Sequence, residues 1–441
     1  MFQTLKNAWK IKDLQNKLLF TLLIIILYRL GAQIPVPYIN SALIESLGQQ
    51  FSGSILGYMD IMAGGALSQA TLFALSVNPY ITASIVIQLL SVAIPYFEKL
   101  SKDGEEGRKK INMWTRYVTI ALALITSFGY MQLLATGMGT GQSYLVDDAN
   151  VFAKIVIVAS YCAGASLVMW LAEKINESGI GNGISVILFA NIISSGPSLV
   201  ASLWRVITND SYPLVVGILL GIVILAVVLA IVVLVVLVTN SERKIPIQYA
   251  KRVVGRKMYG GQNSNLPIKV NMSGVMPIIF ASSIVSIPAT IAAFFPKVEW
   301  LSWVTEHFSY DSWVYIVIYL LLIVAFSYFY IMISFNPVEV ANNIKNNGGA
   351  IPGVRTGRPT VDFITKILNR ITLIGAFFLC FIAGFPMIIS AVFGAIVPDI
   401  AGIASIAFGG SSLLIVVGVA LETFRDLEAQ ITLRNYKGFL D

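Results

Sequence analysis

The chain has 441 residues, of which 56% are hydrophobic and 12% charged, with a mean hydropathy of +0.79. A soluble globular domain carries roughly a quarter charged residues, so the composition excludes that class and points to a protein that crosses a membrane many times. The net charge is +7, and the two cysteines, Cys162 and Cys380, lie in apolar runs, which suggests neither a disulfide framework nor a thiolate metal site.

At the start, Phe2, Leu5 and Trp9 recur at helical spacing among lysines, the pattern of an amphipathic helix lying on the inner leaflet. No cleavable leader is expected, because the first long apolar run is already of span length. Ten spans are predicted, near 18–36, 67–94, 114–134, 152–172, 184–204, 214–238, 272–295, 313–334, 371–392 and 411–427. With the N-terminus placed in the cytoplasm, the Lys and Arg residues collect on the cytoplasmic side. Of the 30, only Arg29, Lys154, Arg205 and Lys297 fall elsewhere. The positive-inside rule then puts both ends in the cytoplasm. The outer connections read as ordinary polar loops, and the single histidine, His307, belongs to one of them.

The stretch from Gly53 to Ser91 carries the most information. A short Gly-bounded segment, Ser54, Ile55, Leu56, Gly57, Tyr58, Met59, Asp60, Ile61, Met62 and Ala63, is too brief to cross a bilayer and leads directly into the second span. Read as one helix from Ala66 to Leu90, that span has Ser68, Thr71, Asn78 and Thr82 on one face. Val77, Ile81, Ser84 and Gln88 lie on the opposite face. A helix polar on two sides does not turn both toward lipid. Asn78-Pro79 falls mid-span, where a kink is predicted. The face from Gln88 to Val77 reads as a half-channel narrowing onto branched apolar side chains, with the short segment before it as a lid.

Span five opens on Gly179-Ile180-Gly181-Asn182-Gly183. No βαβ pattern surrounds these glycines, so they read as backbone unwound along a wet cavity, not as a phosphate cradle. Ile184 and Leu188 then face one way, as Val77 and Ile81 do, although ordinary helix packing accounts for the pair equally well. Two cytoplasmic connections exceed what topology requires. Between Lys244 and Gly261 the alternation of Ile245, Ile247 and Tyr249, with a turn at Gly255, predicts a basic hairpin bearing Lys251, Arg252 and Arg256. Between Asn336 and Arg370 a Gly/Pro-stiffened tip presents Arg355 and Arg358. Both suit docking to an anionic partner, structured RNA or an acidic protein face. Ionisable side chains deep in the spans are almost absent, which disfavours an ion-coupled carrier and an intramembrane protease. No enzymatic activity, metal or cofactor is expected, and a passive conduit gated by an apolar constriction fits what is left.

Gly64-Gly65-Ala66-Leu67-Ser68, Asn78-Pro79-Tyr80-Ile81-Thr82-Ala83-Ser84-Ile85 and Gly179-Ile180-Gly181-Asn182-Gly183-Ile184-Ser185 resemble the SecY family of protein-conducting channels. So do Tyr249-Ala250-Lys251-Arg252, Leu266-Pro267-Ile268-Lys269-Val270-Asn271, Phe335-Asn336-Pro337 and Phe408-Gly409-Gly410-Ser411-Ser412-Leu413-Leu414-Ile415. These matches run in order over nearly the whole chain.

The resemblance implies an all-α polytopic protein. Its ten transmembrane helices would form two pseudo-symmetric five-helix halves, an inverted repeat over 1–204 and 205–441, around an hourglass pore. It implies a ring of Val77, Ile81, Ile184, Leu188, Ile279 and Ile415 at the waist; Val77 and Leu188 depart from the family's isoleucine-rich pattern but remain branched. The segment 53–64 would be the plug, and span two against spans seven and eight the lateral gate, with Thr82, Thr126 and Ser282 as its polar cluster. Implied partners are SecE and SecG, the SecA motor ATPase, the ribosome, a secretory polypeptide with its signal sequence, and membrane lipid. Lys251, Arg252 and Arg256 match the ribosome-facing tip. Arg355 matches the arginine of the second, where Thr356 replaces the usual proline. The implied function is passage of unfolded polypeptides across the cytoplasmic membrane and lateral release of apolar segments. Two rivals remain open: a ten-span solute transporter and a poreless scaffold.

Overall fold

Apolar runs in hydrocarbon satisfy their own backbone by becoming helices, and most of the chain does so. The computed structural model describes residue 6 and residues 8–40, 43–51, 55–137, 143–146, 150–208, 214–249, 252–254, 257–259, 263–294, 312–396 and 410–437. In chain order the helices are α1 (Lys12–Gly31), α2 (Ile44–Phe51), α3 (Ile55–Ala63), α4 (Asn78–Ala93), α5 (Pro95–Lys102), α6 (Gly104–Thr136), α7 (Val151–Ser178) and α8 (Gly183–Ser194). They continue as α9 (Gly196–Ile207), α10 (Leu214–Asn240), α11 (Met276–Phe294), α12 (Trp313–Ser334), α13 (Pro337–Asn346), α14 (Arg358–Ile396) and α15 (Gly410–Lys437). Among the described residues six helices are long and apolar enough to cross a membrane, and α4 with α5, bent by 99° at Ile94, makes a seventh. The other predicted spans correspond to the shorter apolar α8 and α11 and to α15, which carries Glu422, Arg425 and Asp426 about its middle.

Span two departs from its prediction. Residues 64–77 form successive turns, and the helix starts only at Asn78, with Pro79 in its first turn. Pro79 therefore opens a helix, where its missing N–H costs nothing, and does not kink one. Ser68 and Thr71 consequently share no helical face with Asn78 and Thr82. The Ser68 N–H donates to Asp60 Oδ1 at 2.8 Å and the Thr71 hydroxyl to the Ala66 carbonyl at 3.2 Å. The irregular stretch is satisfied from outside itself. Leu72 N–H donates to the Ile34 carbonyl at 2.8 Å, Tyr130 Oη to the Leu67 carbonyl at 2.5 Å and Tyr161 Oη to the Ala70 carbonyl at 3.4 Å. Tyr130 and Tyr161 are buried and meet edge to face with centroids 5.1 Å apart. Span five is likewise two helices, α8 and α9, divided at Ser195 before Pro197.

Outside the spans, β1 (Glu242–Tyr249) pairs antiparallel with β4 (Asn263–Lys269), and a short inner ladder joins β2 (Arg252–Val254) to β3 (Lys257–Tyr259). The hairpin is thus longer than predicted; Ala250, Lys251, Gly255, Arg256, Gly260 and Gly261 lie outside the described residues. β5 (Gly349–Ala350) adds to the other edge of β1, giving the order β4-β1-β5. Ile245, Ile247, Ile268, Ile344, Ile351, Ile364 and Leu368 close over that sheet as one core. The two long connections are therefore a single body. At the N-terminus, Phe2 and Leu5 of the predicted amphipathic arm lie outside the described residues; Trp9 is exposed, and buried Ala8 packs with Ile180 and Leu427.

Gly164 of α7 lies so close to the 64–77 turns that a Cβ there would meet the Leu72 carbonyl. Gly164→Val should push α7 off those turns and destabilise the protein by about 1–3 kcal/mol. A lowered Tm in detergent checks it.

Candidate functional site

Four elements converge on the middle of the molecule, and each brings residues the sequence singled out. Tyr58, Met59 and Met62 of α3, Asn78 and Ile81 of α4, Leu188 of α8, and Ile279, Ser282, Ser283 and Ser286 of α11 line a cavity of about 20 Å³. A single water needs about 10–15 Å³, so this cavity has room for little more than one. Ile81, Leu188 and Ile279 thus meet at one point. Val77 and Ile415 are buried in the same apolar cluster and Ile184 packs against it half-buried, though these three are not among that cavity's lining.

The polarity on either side of this point can be read along α8. Asn182 caps its first turn, accepting from Ile184 N–H at 3.1 Å, and Gly181 and Asn182 border a polar cavity of about 400 Å³. Ile184 and Leu188 follow, and then Asn191. At 1.5 Å per residue Asn182 and Asn191 stand about 14 Å apart, with the apolar closure between them. Lys269, Asn271, Glu422, Arg425 and Asp426 line the same polar cavity. There the Gly181 N–H donates to Asp426 Oδ2 at 3.1 Å, while Arg425 donates to the Thr239 carbonyl and to Asn240 Oδ1 (2.8 Å). Burial, helped by the nearby Arg425 guanidinium, pushes the Lys269 ammonium below its ordinary value.

On the far side of the closure sits α3. Leu56 and Met62 are buried, and Tyr58, Met59 and Ile61 half-buried. Ile55 is the first helical residue, and Ser54 lies outside the described residues. Between α4, α6 and α11 runs an apolar groove of about 390 Å³ lined by Thr82, Leu122, Thr126, Ser283, Ser286, Ile287 and Thr290, with Leu56 and Met59 at its floor. Thr82 and Thr126 thus line one groove, whereas Ser282 lines the small central cavity instead. The hydroxyls of Thr82, Thr126, Ser282 and Ser283 each donate to a carbonyl of their own helix at 2.8–3.0 Å.

Of the docking residues, Arg355 and Arg358 are exposed and Arg358 opens α14. The Arg355 carbonyl accepts from Thr360 Oγ1 at 2.8 Å, which braces the tip despite Thr356. Arg252 lies in β2; Lys251 and Arg256 fall outside the described residues. Sequence reasoning missed Asn191, Ser283, Ser286, Thr290 and the charged lining of the polar cavity. The one available signal was a carboxamide at 191 inside a mostly apolar helix.

A polytopic helical channel, shut at its centre by apolar side chains between a polar vestibule and a short covering helix, is the class this fold and site define. The SecY family model matches residues 71–424. Protein translocase subunit SecY of Streptomyces griseus is 44% identical over 448 residues, covering the whole of both chains. The chain belongs to the SecY family: it is a multi-pass protein of the cell membrane and the channel subunit of a protein translocase, through which polypeptides cross. A solved SecY structure, whose plug domain is described as stabilising the closed channel and maintaining a membrane seal, overlays with a TM-score of 0.61 at 17% identity, covering 94% of this chain and 92% of that one. Canine Sec61 in a ribosome-channel complex from the endoplasmic reticulum overlays at 0.58 with 14% identity, covering 94% and 92%. At such identities the overlays establish the fold.

Proposed function

We propose that Val77, Ile81, Ile184, Leu188, Ile279 and Ile415 form the ring that seals the resting channel, and that α3 is its plug. The observation that carries this reading is the order along α8: polar vestibule, then Ile184 and Leu188, then contact with α3. A narrow apolar waist expels water and so resists ions. Branched side chains yield around an extended peptide and offer it no hydrogen bonds to adhere to, so any sequence passes. The groove that α6 also lines runs beside α4 and α11, and span two against spans seven and eight, here α4 against α11 and α12, is the lateral gate. A signal sequence opens it by binding the parted helices better than the closed ones, since a ligand shifts an equilibrium only by differential affinity.

In this reading residues 1–204 and 205–441 are the two halves, and both termini and the β-sheet projection face the cytoplasm. Lys and Arg cluster on that side, which supports the orientation. Exposed Arg355 and Arg358 present cations to RNA phosphates or to an acidic motor surface, and β2, which includes Arg252, belongs to the same projection. The ribosome and SecA are the partners of that surface, and SecE with SecG clasp the halves. The channel itself performs no catalytic step. The absence of carboxylates deep in the spans argues against a solute carrier.

Site-specific crosslinking from positions 81 and 184 to a stalled secretory chain is the deciding experiment; a scaffold without a pore gives no adduct from either. Ile81→Gly combined with Ile184→Gly should raise the ion leak of the resting channel in planar bilayers, and unchanged conductance counts against the ring. Arg355→Glu should leave folding intact and abolish motor-driven secretion, checked by translocation of a SecA-dependent substrate into inverted vesicles.

A further inference from the structure

We propose that Asn191 is the positioning residue that latches α3 beneath the closure, an inference that rests on the plug reading and names what holds it. A nine-residue helix ends with carbonyls that have no intrahelical partner. In α3 the chain turns out of the helix at Gly64, with φ +68°, and the Gly65 N–H returns to the Asp60 carbonyl at 2.9 Å. The Met62 and Gly64 carbonyls are taken up from outside. Asn191 Nδ2 donates to Met62 O at 2.9 Å, and Arg29 Nη1 to Gly64 O at 3.4 Å, a cation at the negative end of the helix dipole.

Asn191 is wholly buried in α8 and faces two further oxygens, Tyr28 Oη at 2.9 Å and Ser76 Oγ at 3.1 Å, themselves 3.2 Å apart. Because a carbonyl only accepts, Met62 fixes which end of the amide points to α3. The same side chain thereby ties together α1, α3, α8 and the turn that launches α4. Asn191 Oδ1 is buried and has no hydrogen-bond donor among the described residues. That bare acceptor is costly only while α3 excludes water. Withdrawal of α3 would hydrate it, so the latch holds the closed state and is still readily released. Gly64 is the one residue that fits beneath it: a Cβ there would lie 2.6 Å from Arg29 Nη1 and 3.1 Å from Asn191 Oδ1.

The test uses the full chain, reconstituted in planar bilayers with the subunits that copurify with it. Asn191→Leu keeps approximate volume and removes the amide, and should raise resting ion conductance about tenfold. Gly64→Ala, which acts from the plug side, should leak as well and serves if Asn191→Leu fails to fold. Met59 Sδ and Thr290 Oγ1 lie 3.3 Å apart, so Met59→Cys with Thr290→Cys, in a chain whose Cys162 and Cys380 are replaced by alanine, puts two thiols within reach of a short bifunctional methanethiosulfonate linker that pins α3 to α11 and is released by reductant. Leak from either variant that the linker closes and reduction restores supports the latch. Leak that persists in the linked pair overturns it, since Asn191 would then act elsewhere. No leak from the variants, when deletion of residues 55–63 does leak, overturns the latch and leaves the plug standing. A deletion that does not leak removes the plug reading, and the latch with it.

Discussion

Backbone that abandons helical pairing at membrane depth must find other partners for its amides and carbonyls, because hydrocarbon offers none. Residues 64–77 are the place where this protein meets that demand. Tyr130, Tyr161 and the chain after α1 supply the bonds. Ala70 and Ser76 adopt positive φ within the stretch, a conformation that residues with a Cβ hold only when their surroundings impose it. The position at which α4 starts follows from this scaffold. With it are set the placements of Val77 and Ile81 and the floor against which α3 lies.

Much of the fold was legible because hydropathy is a long-range average. Span eight, predicted over 313–334, is helix over Trp313–Ser334, and the apolar Val77, Ile81, Leu188, Ile279 and Ile415 are buried in one cluster with Ile184 packed on it. Averages fail where an apolar stretch is not helical. Residues 67–77 are as greasy as a helix, and only local chemistry marks the break: Gly64-Gly65 ahead of it and Asn78-Pro79 at its end, since a residue before proline disfavours helical backbone. The union of the two projections was illegible for another reason. β5 is two residues long and meets β1 from about a hundred residues away in sequence, so no local pattern announces it. Asn191 stood out only as one amide among isoleucines, and what it bonds to depends on tertiary placement.

On the proposed assignment of waist, plug and gate, the two ways out of the closed channel are held by different physics. Along the seam of α4, α6 and α11 the hydroxyls bond within their own helices, so the surfaces that meet there do so through apolar packing. Lipid chains are as apolar as leucine, and a signal sequence is too, so parting the seam exchanges one set of dispersion interactions for another at little net cost. The axial route is different. Where Ile81, Leu188 and Ile279 meet there is room for about one water, and neither lipid nor water replaces the side-chain packing that widening the proposed waist would break. A hydrated polypeptide must be driven through it, whereas an apolar segment need only partition sideways. A channel built this way sorts its substrates by hydrophobicity without reading their sequence, because the only discrimination is between a seam that hydrocarbon can fill and a waist that it cannot.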